Sequence, residues 1–195
     1  MFRHFGVPAE ACGNIGLPFV SIVERLGVDA KAVVEVSSFQ LENIRHFHPH
    51  VACLLNLKPD HFDWHGSMTA YREAKAKIFQ NQDSEDFAVL NKQDLETRAV
   101  LPAIRSRILY FKEGEVENTN WAAVLRVARI YGFPQARVLE RLRSVPPIPH
   151  RLERVASDDG LIYVNDSKST NPDSLEWALA RMSHPVVLIC GGRNK

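Results

Sequence analysis

Short continuous runs of apolar residues alternate along the chain with segments in which apolar residues recur every three or four positions. Four apolar runs predict strands that are buried on both faces, at residues 31–37, 51–57, 87–91 and 108–111. Continuous runs, rather than apolar residues at every second position, are typical of parallel sheets that helices cover. The segments between and after them predict helices at residues 19–26, 67–82, 118–131 and 134–143. The pattern favours an α/β fold with a mostly parallel sheet flanked by helices.

A proline-rich segment at residues 144–150 predicts a boundary between two domains, because three closely spaced prolines cannot continue a helix. Beyond it, a hairpin signal at 152–164 is followed by a predicted helix near 173–182 and a predicted strand at 185–190. We expect residues 1–148 to form one α/β domain and residues 149–195 to begin a second one. So short a second unit would bury little core by itself, so we expect it to be the truncated start of a larger domain.

Composition narrows the class of protein without revealing a function. The 195 residues include 24 Lys and Arg against 23 Asp and Glu, and this net charge of +1 gives no electrostatic argument for nucleic-acid or anionic-membrane partners. No apolar stretch approaches the roughly 20 residues that span a bilayer, and the N-terminus lacks a signal-peptide pattern. Three cysteines among apolar neighbours predict buried thiols rather than disulfides or a zinc site. These features indicate a cytoplasmic globular protein.

Acidic and imidazole side chains follow two of the predicted strands. Glu35 lies near the carboxyl end of the first run, where open parallel sheets bind ligands; it is either functional or satisfied by neighbouring donors. The next run leads into a loop that holds Asp60, His61, Asp63 and His65, a ligand set suited to a divalent metal. His61 and His65 have the i, i+4 spacing of a zinc-binding helix, but a proline and a glycine make this segment a loop. Because both strand ends share one edge, the rim formed by Glu35 and His61 is a candidate Mg²⁺ site.

A lysine lies on the apolar stripe of the helix predicted after this loop. Lys75 follows Tyr71 at helical spacing on that stripe, whereas Lys77 falls on the opposite side, where a solvated lysine belongs. An inward lysine usually extends its amine back to water or forms an ion pair. The alternative is a functional lysine that faces the rim.

The polar segment 165–172, with the sequence Asn-Asp-Ser-Lys-Ser-Thr-Asn-Pro, leaves a predicted strand and enters a predicted helix. Hydroxyls, amides and a cation at such a junction suit the binding of an anion at the helix N-terminus. The alternative is an ordinary turn in which Asn171 caps the helix and Pro172 takes its first position. No Gly-x-x-x-x-Gly-Lys-Ser/Thr phosphate loop occurs in the sequence.

Six motifs, in order along nearly the whole chain, resemble those of the Mur ligase family. They lie at residues 13–18, 35–42, 56–63, 71–75, 150–153 and 165–171. Two of these motifs resemble those of the branch that adds D-glutamate: Glu-Val-Ser-Ser-Phe-Gln-Leu-Glu at 35–42 and Asn-Asp-Ser-Lys-Ser-Thr-Asn at 165–171. The resemblance implies an ATP-dependent amide ligase of peptidoglycan synthesis with three domains. ATP would phosphorylate the carboxylate of UDP-N-acetylmuramoyl-L-alanine, and the amine of D-glutamate would displace phosphate from the acyl phosphate.

The same resemblance implies a metal and catalytic set. Glu35, His61 and Lys75 would hold Mg²⁺, with Lys75 converted by CO₂ into a carbamate. Carbamylation needs a neutral amine, which burial favours, and this gives a physical reason for an inward lysine. Tyr71 would support the site, and Lys168 would face the reacting carboxylate as a further catalytic residue beside Lys75 and His61.

It also implies ligand contacts on both sides of the domain boundary. Asn120, Arg151 and Asp166 would contact the nucleotide. Asn14 would contact the UDP-sugar substrate, and Thr170 would face the incoming glutamate.

The chain departs from the family pattern in several places. The phosphate loop would precede Met1 and most of the third domain would follow Lys195, so we expect an incomplete ligase that is inactive alone. The segment 91–114 leaves little room for a small antiparallel sheet, and Glu117 stands where it could repel phosphate. Two alternatives remain open: another Mur or folylpolyglutamate-type ligase, and a non-catalytic remnant that binds nucleotide or Mg²⁺.

Overall fold

In the computed structural model, which describes residues 1–192, the chain forms seven strands and seven α-helices. These elements divide between two units, Met1–Ser144 and a second unit that begins at Val145. The division falls in the proline-rich segment. The assignment of residues 1–148 and 149–195 to two family domains stays a prediction, and residues 193–195 lie outside the described part of the chain.

The first unit contains two parallel sheets. Strands β1 (Ala9–Gly13) and β2 (Lys31–Glu35) pair in parallel, and β3 (Val51–Leu54), β4 (Phe87–Asn91) and β5 (Arg107–Phe111) form a second sheet in that order. All of these pairings are parallel, which confirms the predicted fold class. Within residues 1–192, β2 and β3 do not pair with each other, so the expected single sheet is two sheets.

Six helices accompany these strands, and several begin at a side chain that accepts a hydrogen bond from the first turn. They are α1 (Ser38–Glu42), α2 (Phe62–His65), α3 (Met68–Ala76), α4 (Leu95–Ala99), α5 (Thr119–Ile130) and α6 (Gln135–Arg143). Ser67 caps α3 as predicted, since its side chain accepts from the backbone N–H of Ala70. The segment 91–114 holds α4, a 3₁₀ turn and β5, with no antiparallel pairing there.

The core of the first unit lies on both faces of β4. Ala88, Val89 and Leu90 are all fully buried, and successive side chains of a strand point to opposite faces. Ala88 and Leu90 pack with Tyr71 of α3 and with neighbouring apolar side chains, whereas Val89 packs with the alanines of α5. Burial on both faces is therefore confirmed for β4. It is wrong for the other predicted strands, because Val33 of β2 is 49% exposed, Cys53 of β3 is exposed, and Tyr110 of β5 is 39% exposed.

Two local predictions in this unit are wrong. Residues 19–26 do not form an α-helix but two 3₁₀ turns, Phe19–Ser21 and Val23–Arg25. Of these eight residues only Ile22 is buried, so the apolar stripe lacks the packing that stabilises a short helix. Lys77 is not a solvated lysine, because its Nζ donates a hydrogen bond to the carbonyl of Glu42 at 2.8 Å.

The second unit opens with the predicted hairpin. Strands β6 (Glu153–Val155) and β7 (Tyr163–Asn165) pair antiparallel, and α7 (Pro172–Leu179) follows. The predicted strand at 185–190 is wrong, because these residues have no strand partner among the described residues. Val187 and Ile189 are 92% and 93% exposed, so the apolar run is not buried as a sheet strand would be.

The three cysteines are free thiols, as predicted. Cys12 is buried, but Cys53 and Cys190 are exposed, so the prediction of burial is wrong for two of them. On β3 the core-facing positions belong to Ala52 and Leu54, and alternation turns Cys53 to the other face. In residues 1–192 no helix has both the length and the apolar character that crossing a bilayer requires.

Candidate functional site

The carboxyl end of β2 is held closely against the end of β1. Gly13 has a φ of +105°, and a Cβ at this position would lie 2.2 Å from the carbonyl oxygen of Glu35. Directly after it, the backbone N–H of Asn14 donates to that same oxygen at 2.9 Å, and the side-chain amide of Asn14 donates to Oε1 of Glu35 at 3.3 Å. The predicted substrate residue therefore orients the predicted metal ligand, whose carboxylate lies at the surface.

The side chain of Lys75 lies partly buried on the inner side of α3. Its Nζ lies 5.8 Å from the centre of the buried Tyr71 ring, as helical spacing predicts. Burial lowers the pKa of Lys75, and the negative charges of Glu35 and Asp60 oppose this shift. The amine is therefore easier to deprotonate than that of an ordinary lysine, while two carboxylates act on it electrostatically.

His61 begins α2 in a left-handed conformation with φ of 55°. Its backbone N–H donates to the carboxylate of Asp60 at 2.9 Å, which stabilises this conformation, and its ring lies 6.3 Å from the ring of Tyr71. Lys75 contacts the same Tyr71 ring and responds to the charge of Glu35. The three predicted metal ligands thus belong to one region at the carboxyl ends of β2 and β3.

This region fits a hard divalent cation in the chemistry of its donors. Carboxylate oxygens from Glu35 and Asp60 and an imidazole nitrogen from His61 are suitable ligands. A protonated Lys75 would repel a cation, but a neutral amine can react with CO₂ to form a carbamate, which adds a negatively charged oxygen donor. The lowered pKa of Lys75 favours the neutral form. The metal roles of these residues stay predictions.

A buried histidine forms a contact that the sequence did not reveal. The side chain of His65 is 2% exposed, so it is not available as a fourth ligand in the loop. Its Nε2 lies 2.9 Å from Oγ of Ser38, and its Nδ1 lies 3.3 Å from the carboxylate of Glu42. Both partners belong to α1, so His65 fastens the loop that carries His61 to the helix that follows β2.

Asn120 lies in the first turn of α5, at the surface, with its backbone N–H bound to the side chain of Asn118. The neighbouring Glu117 forms an ion pair with Arg143, whose Nε lies 2.7 Å from it. A backbone hydrogen bond and the Arg143 contact lower the pKa of Glu117. Because the guanidinium compensates this charge, Glu117 repels phosphate less than the sequence suggests.

The predicted ligand residues of the second unit surround one loop. Asp166 accepts hydrogen bonds from the backbone N–H of Leu152 at 3.0 Å and from Oγ of Ser169 at 2.5 Å. Arg151 donates to the same Ser169 hydroxyl at 3.2 Å. The carboxylate of Asp166 thus has a structural role in its own loop, and a nucleotide would have to share or displace these contacts.

The polar segment that enters α7 has the geometry of a capped turn. Asn171 accepts a hydrogen bond from the backbone N–H of Ser174 at 2.9 Å, and Pro172 takes the first helical position. Lys168 and Thr170 are exposed beside it, with the backbone N–H of Lys168 bound to the carbonyl of His150 at 3.1 Å. The capping interpretation is confirmed, whereas anion binding by Lys168 and Thr170 stays a prediction.

A groove elsewhere on the first unit contains none of the predicted residues. Its volume is about 560 Å³, and it lies between β5 and α5, lined by Arg107, Tyr110, Arg126 and Arg129 among others. The candidate site is therefore the open surface at the strand ends rather than this groove.

Comparison with known proteins gives a consistent family. Residues 14–137 match the Mur ligase middle domain. The chain is 36% identical over 230 residues to the UDP-N-acetylmuramoylalanine–D-glutamate ligase of Pelotomaculum thermopropionicum, covering 100% of this chain and 50% of the relative. It is 37% identical over 202 residues to the ligase of the same name from Thermus thermophilus, covering 100% of this chain and 48% of that protein.

A solved structure extends the similarity to the fold. The MurF ligase of Thermotoga maritima in complex with ADP superposes with a TM-score of 0.72 at 18% identity, covering 92% of this chain and 52% of that one. At that identity the likeness concerns the fold alone. The chain spans about half the length of the curated relatives that it matches.

Proposed function

Because the chain belongs to the Mur ligase family, we propose that it is part of an ATP-dependent ligase that joins D-glutamate to UDP-N-acetylmuramoyl-L-alanine. The two relatives at 36% and 37% identity carry the name of this reaction, which supports the D-glutamate branch over its sister ligases. The product is a peptidoglycan precursor. Substrates of this kind are small anions, which a few placed groups can bind in a chain whose net charge is only +1.

The observation that carries the proposal is the environment of Lys75. An amine whose pKa is lowered by burial lies under the influence of two carboxylates, beside the strand ends where this fold class binds ligands. The geometry supports a site in which Lys75, once carbamylated, joins Glu35 and His61 in holding Mg²⁺.

The bound Mg²⁺ would neutralise phosphate charge in the phosphoryl transfer. The residues of this chain would orient the metal ligands and the substrate. Asn14 holds the carboxylate of Glu35 and offers its own polar side chain to the sugar substrate. His61 would add its imidazole from the adjacent strand end.

The nucleotide contacts belong to the same proposal. Asn120, Arg151 and Asp166 would contact ATP, and Lys168 and Thr170 would contact the reacting carboxylate and the incoming D-glutamate. The ADP held by the Thermotoga maritima MurF ligase supports a nucleotide site in this fold. We assign residues 1–148 to the central ATP-binding domain and residues 149–195 to the start of the ligase domain, in a cytoplasmic enzyme.

The test is a ligation assay on the protein that the complete open reading frame encodes. Purified protein receives ATP and Mg²⁺ with UDP-N-acetylmuramoyl-L-alanine and D-glutamate, or with UDP-N-acetylmuramoyl-L-alanyl-D-glutamate and either L-lysine or meso-diaminopimelate. The product is measured by chromatography. We expect product with D-glutamate alone. His61→Ala should lower kcat at least about 100-fold, whereas His46→Ala, a change at an exposed histidine, should not.

Other outcomes identify the alternatives. Preference for L-lysine or meso-diaminopimelate would assign the protein to a sister ligase, and ATP binding without ligation would support a non-catalytic remnant. We expect the 195-residue chain alone to be inactive, since its sequence holds no phosphate loop. Ligation by this chain alone would contradict that expectation.

A further inference from the structure

A second group of metal-ligating side chains lies at the opposite end of the central strands. His48 and His50 precede β3, and Asp86 precedes β4, so these residues lie at the amino ends of the strands whose carboxyl ends carry the candidate site. Four residues of β3 at about 3.3 Å each separate the two ends by roughly 13 Å. The cluster is therefore distinct from the rim formed by Glu35 and His61.

The centre of this cluster is a buried carboxylate. Asp86 is 5% exposed, and its Oδ2 is in close contact with Nε2 of His48. Its Oδ1 lies 3.0 Å from Nδ1 of His50. The backbone N–H of Asp83 donates to Oδ2 at 2.9 Å, so a tight turn brings the Asp83 carboxylate to the same place.

Three of these side chains converge on one point. A nitrogen of His48 and carboxylate oxygens of Asp83 and Asp86 all lie within 4.8 Å of one another. Oδ1 of Asp83 accepts from the backbone N–H of Glu85 at 2.8 Å, which orients the carboxylate and leaves Oδ2 for a ligand. His48 and Asp83 are exposed, so an ion could enter from solvent and keep water in its remaining positions.

We propose that His48, Asp83 and Asp86 form a binding site for a divalent transition-metal ion such as Zn²⁺. One imidazole with two carboxylates is a donor set that first-row transition ions accept, and the two negative charges compensate the ion. His50 would not contact the ion. Its hydrogen bond with Oδ1 of Asp86 would orient the carboxylate that binds the ion.

The test uses the 195-residue chain, stripped with a chelator and titrated with ZnCl₂ by isothermal calorimetry. We expect one ion to bind at this cluster, and His48→Ala and Asp83→Asn each to weaken its binding more than about tenfold. Both changes lie at exposed side chains, so the fold should persist, as circular dichroism will check. His46→Ala is the matched control, because it removes an exposed histidine two positions away and should leave the affinity unchanged.

A second variant separates this site from the proposed catalytic metal site. His61→Ala should leave Zn²⁺ binding at the cluster unchanged, and bound Zn²⁺ should raise the melting temperature of this variant but not that of the double variant with His48→Ala. Absence of binding to His61→Ala, in which the rim has lost its imidazole, or binding to that variant that survives the addition of His48→Ala and of Asp83→Asn, would overturn the proposal. Loss of Zn²⁺ binding in His61→Ala alone would place the ion at the rim and would also overturn it. None of these outcomes depends on the ligase activity.

Discussion

Nε2 of His65 lies 2.9 Å from Oγ of Ser38, and this contact joins the loop after β3 to the first turn of α1. Nδ1 of the same His65 ring lies 3.3 Å from the carboxylate of Glu42, so the three side chains form a serine–histidine–acid arrangement. Ser38 is 1% exposed, so its hydroxyl cannot reach a substrate. The arrangement is instead a structural clamp, which fixes the loop that begins at His61 against the helix that follows Glu35.

We expect His65→Ala to destabilise the protein by about 1–3 kcal/mol, because it leaves the buried Ser38 hydroxyl without its partner. Urea unfolding measures this change. Asp63→Ala, at an exposed neighbour in the same loop, should stay within about 0.5 kcal/mol. In a double-mutant cycle, Ser38→Ala and His65→Ala should couple by at least about 0.5 kcal/mol, and strictly additive effects would show that the contact contributes nothing.

Gly13 lies where no larger residue fits. Its φ is +105°, and a Cβ would meet Val34 Cγ1 at 2.9 Å besides the carbonyl oxygen of Glu35 at 2.2 Å. We expect Gly13→Ala to cost at least about 2 kcal/mol and to displace Glu35. Gly27→Ala is the matched control: nothing lies within 4 Å of its Cβ position, and the change should be neutral or stabilising by up to about 1 kcal/mol. Equal stability of the two variants would contradict this account.

Much of the first unit could be predicted because local and tertiary preferences agree there. The apolar run of β4 is buried on both faces by the two clusters that contain residues of α3 and α5, whereas β3 and β5 keep exposed positions. Strand β1 was missed, because Ala9–Gly13 contains a glutamate and a glycine and becomes a strand through its pairing with β2. The helix expected at 19–26 failed for the converse reason, since its apolar residues find little to pack against.

Part of the candidate site could likewise be predicted from the sequence, and part could not. The sequence predicted that Glu35, His61 and Lys75 lie close together. The first two follow strands whose carboxyl ends share an edge of the sheet, and helical spacing places the third on the inner side of its helix. The clamp of His65 on Ser38 depends on a contact between residues 27 positions apart, which no local pattern encodes. The hydrogen bonds that Asp166 accepts from Leu152 and Ser169 likewise depend on the folded loop and are not visible in the sequence.

The pairing of His48 with Asp86 predicts a stability maximum in mildly acidic solution. The hydrogen bond to Asp86 raises the pKa of His48. Burial would raise the pKa of Asp86, but hydrogen bonds from His48, the Asp83 backbone and His50 hold it below its usual value. The contribution of Asp86 is lost as pH falls through its lowered pKa, and that of His48 is lost as pH rises through its raised pKa.

Both contributions are therefore present together between about pH 4 and pH 6.5, the unfolded-state values of the two groups. We expect His48→Ala to shift the urea midpoint more at pH 5.5 than at pH 8.5, measured with a chelator to exclude metal ions. His46→Ala should shift it little at either pH. A shift that is larger at pH 8.5 would mean that the protonated His48 does not stabilise the fold.

Carbamylation of Lys75 is the prediction on which the metal chemistry depends. A carbamate forms from the neutral amine, and burial lowers the pKa of Lys75 despite the opposing charges of Glu35 and Asp60. The neutral fraction therefore rises at a lower pH than for a surface lysine, and carbamate formation should increase as pH rises through the lowered pKa. Incubation with ¹³C-bicarbonate should give a labelled carbamate resonance that is absent in Lys75→Arg, in addition to any signal from the Met1 α-amine, whose pKa burial also lowers.

Lys77→Arg is the control for this experiment, because the Lys77 amine lies on the same helix and donates a hydrogen bond to the carbonyl of Glu42. In the protein from the complete reading frame, Lys75→Ala should lose ligation, and short carboxylic acids should restore part of it by placing a carboxylate where the carbamate would be. A spectrum that is the same in Lys75→Arg as in the parent protein, or loss of activity that no carboxylic acid relieves, would mean that Lys75 acts as an amine. Its lowered pKa would then serve proton transfer or packing, and Glu35 and His61 would have to hold the metal without it.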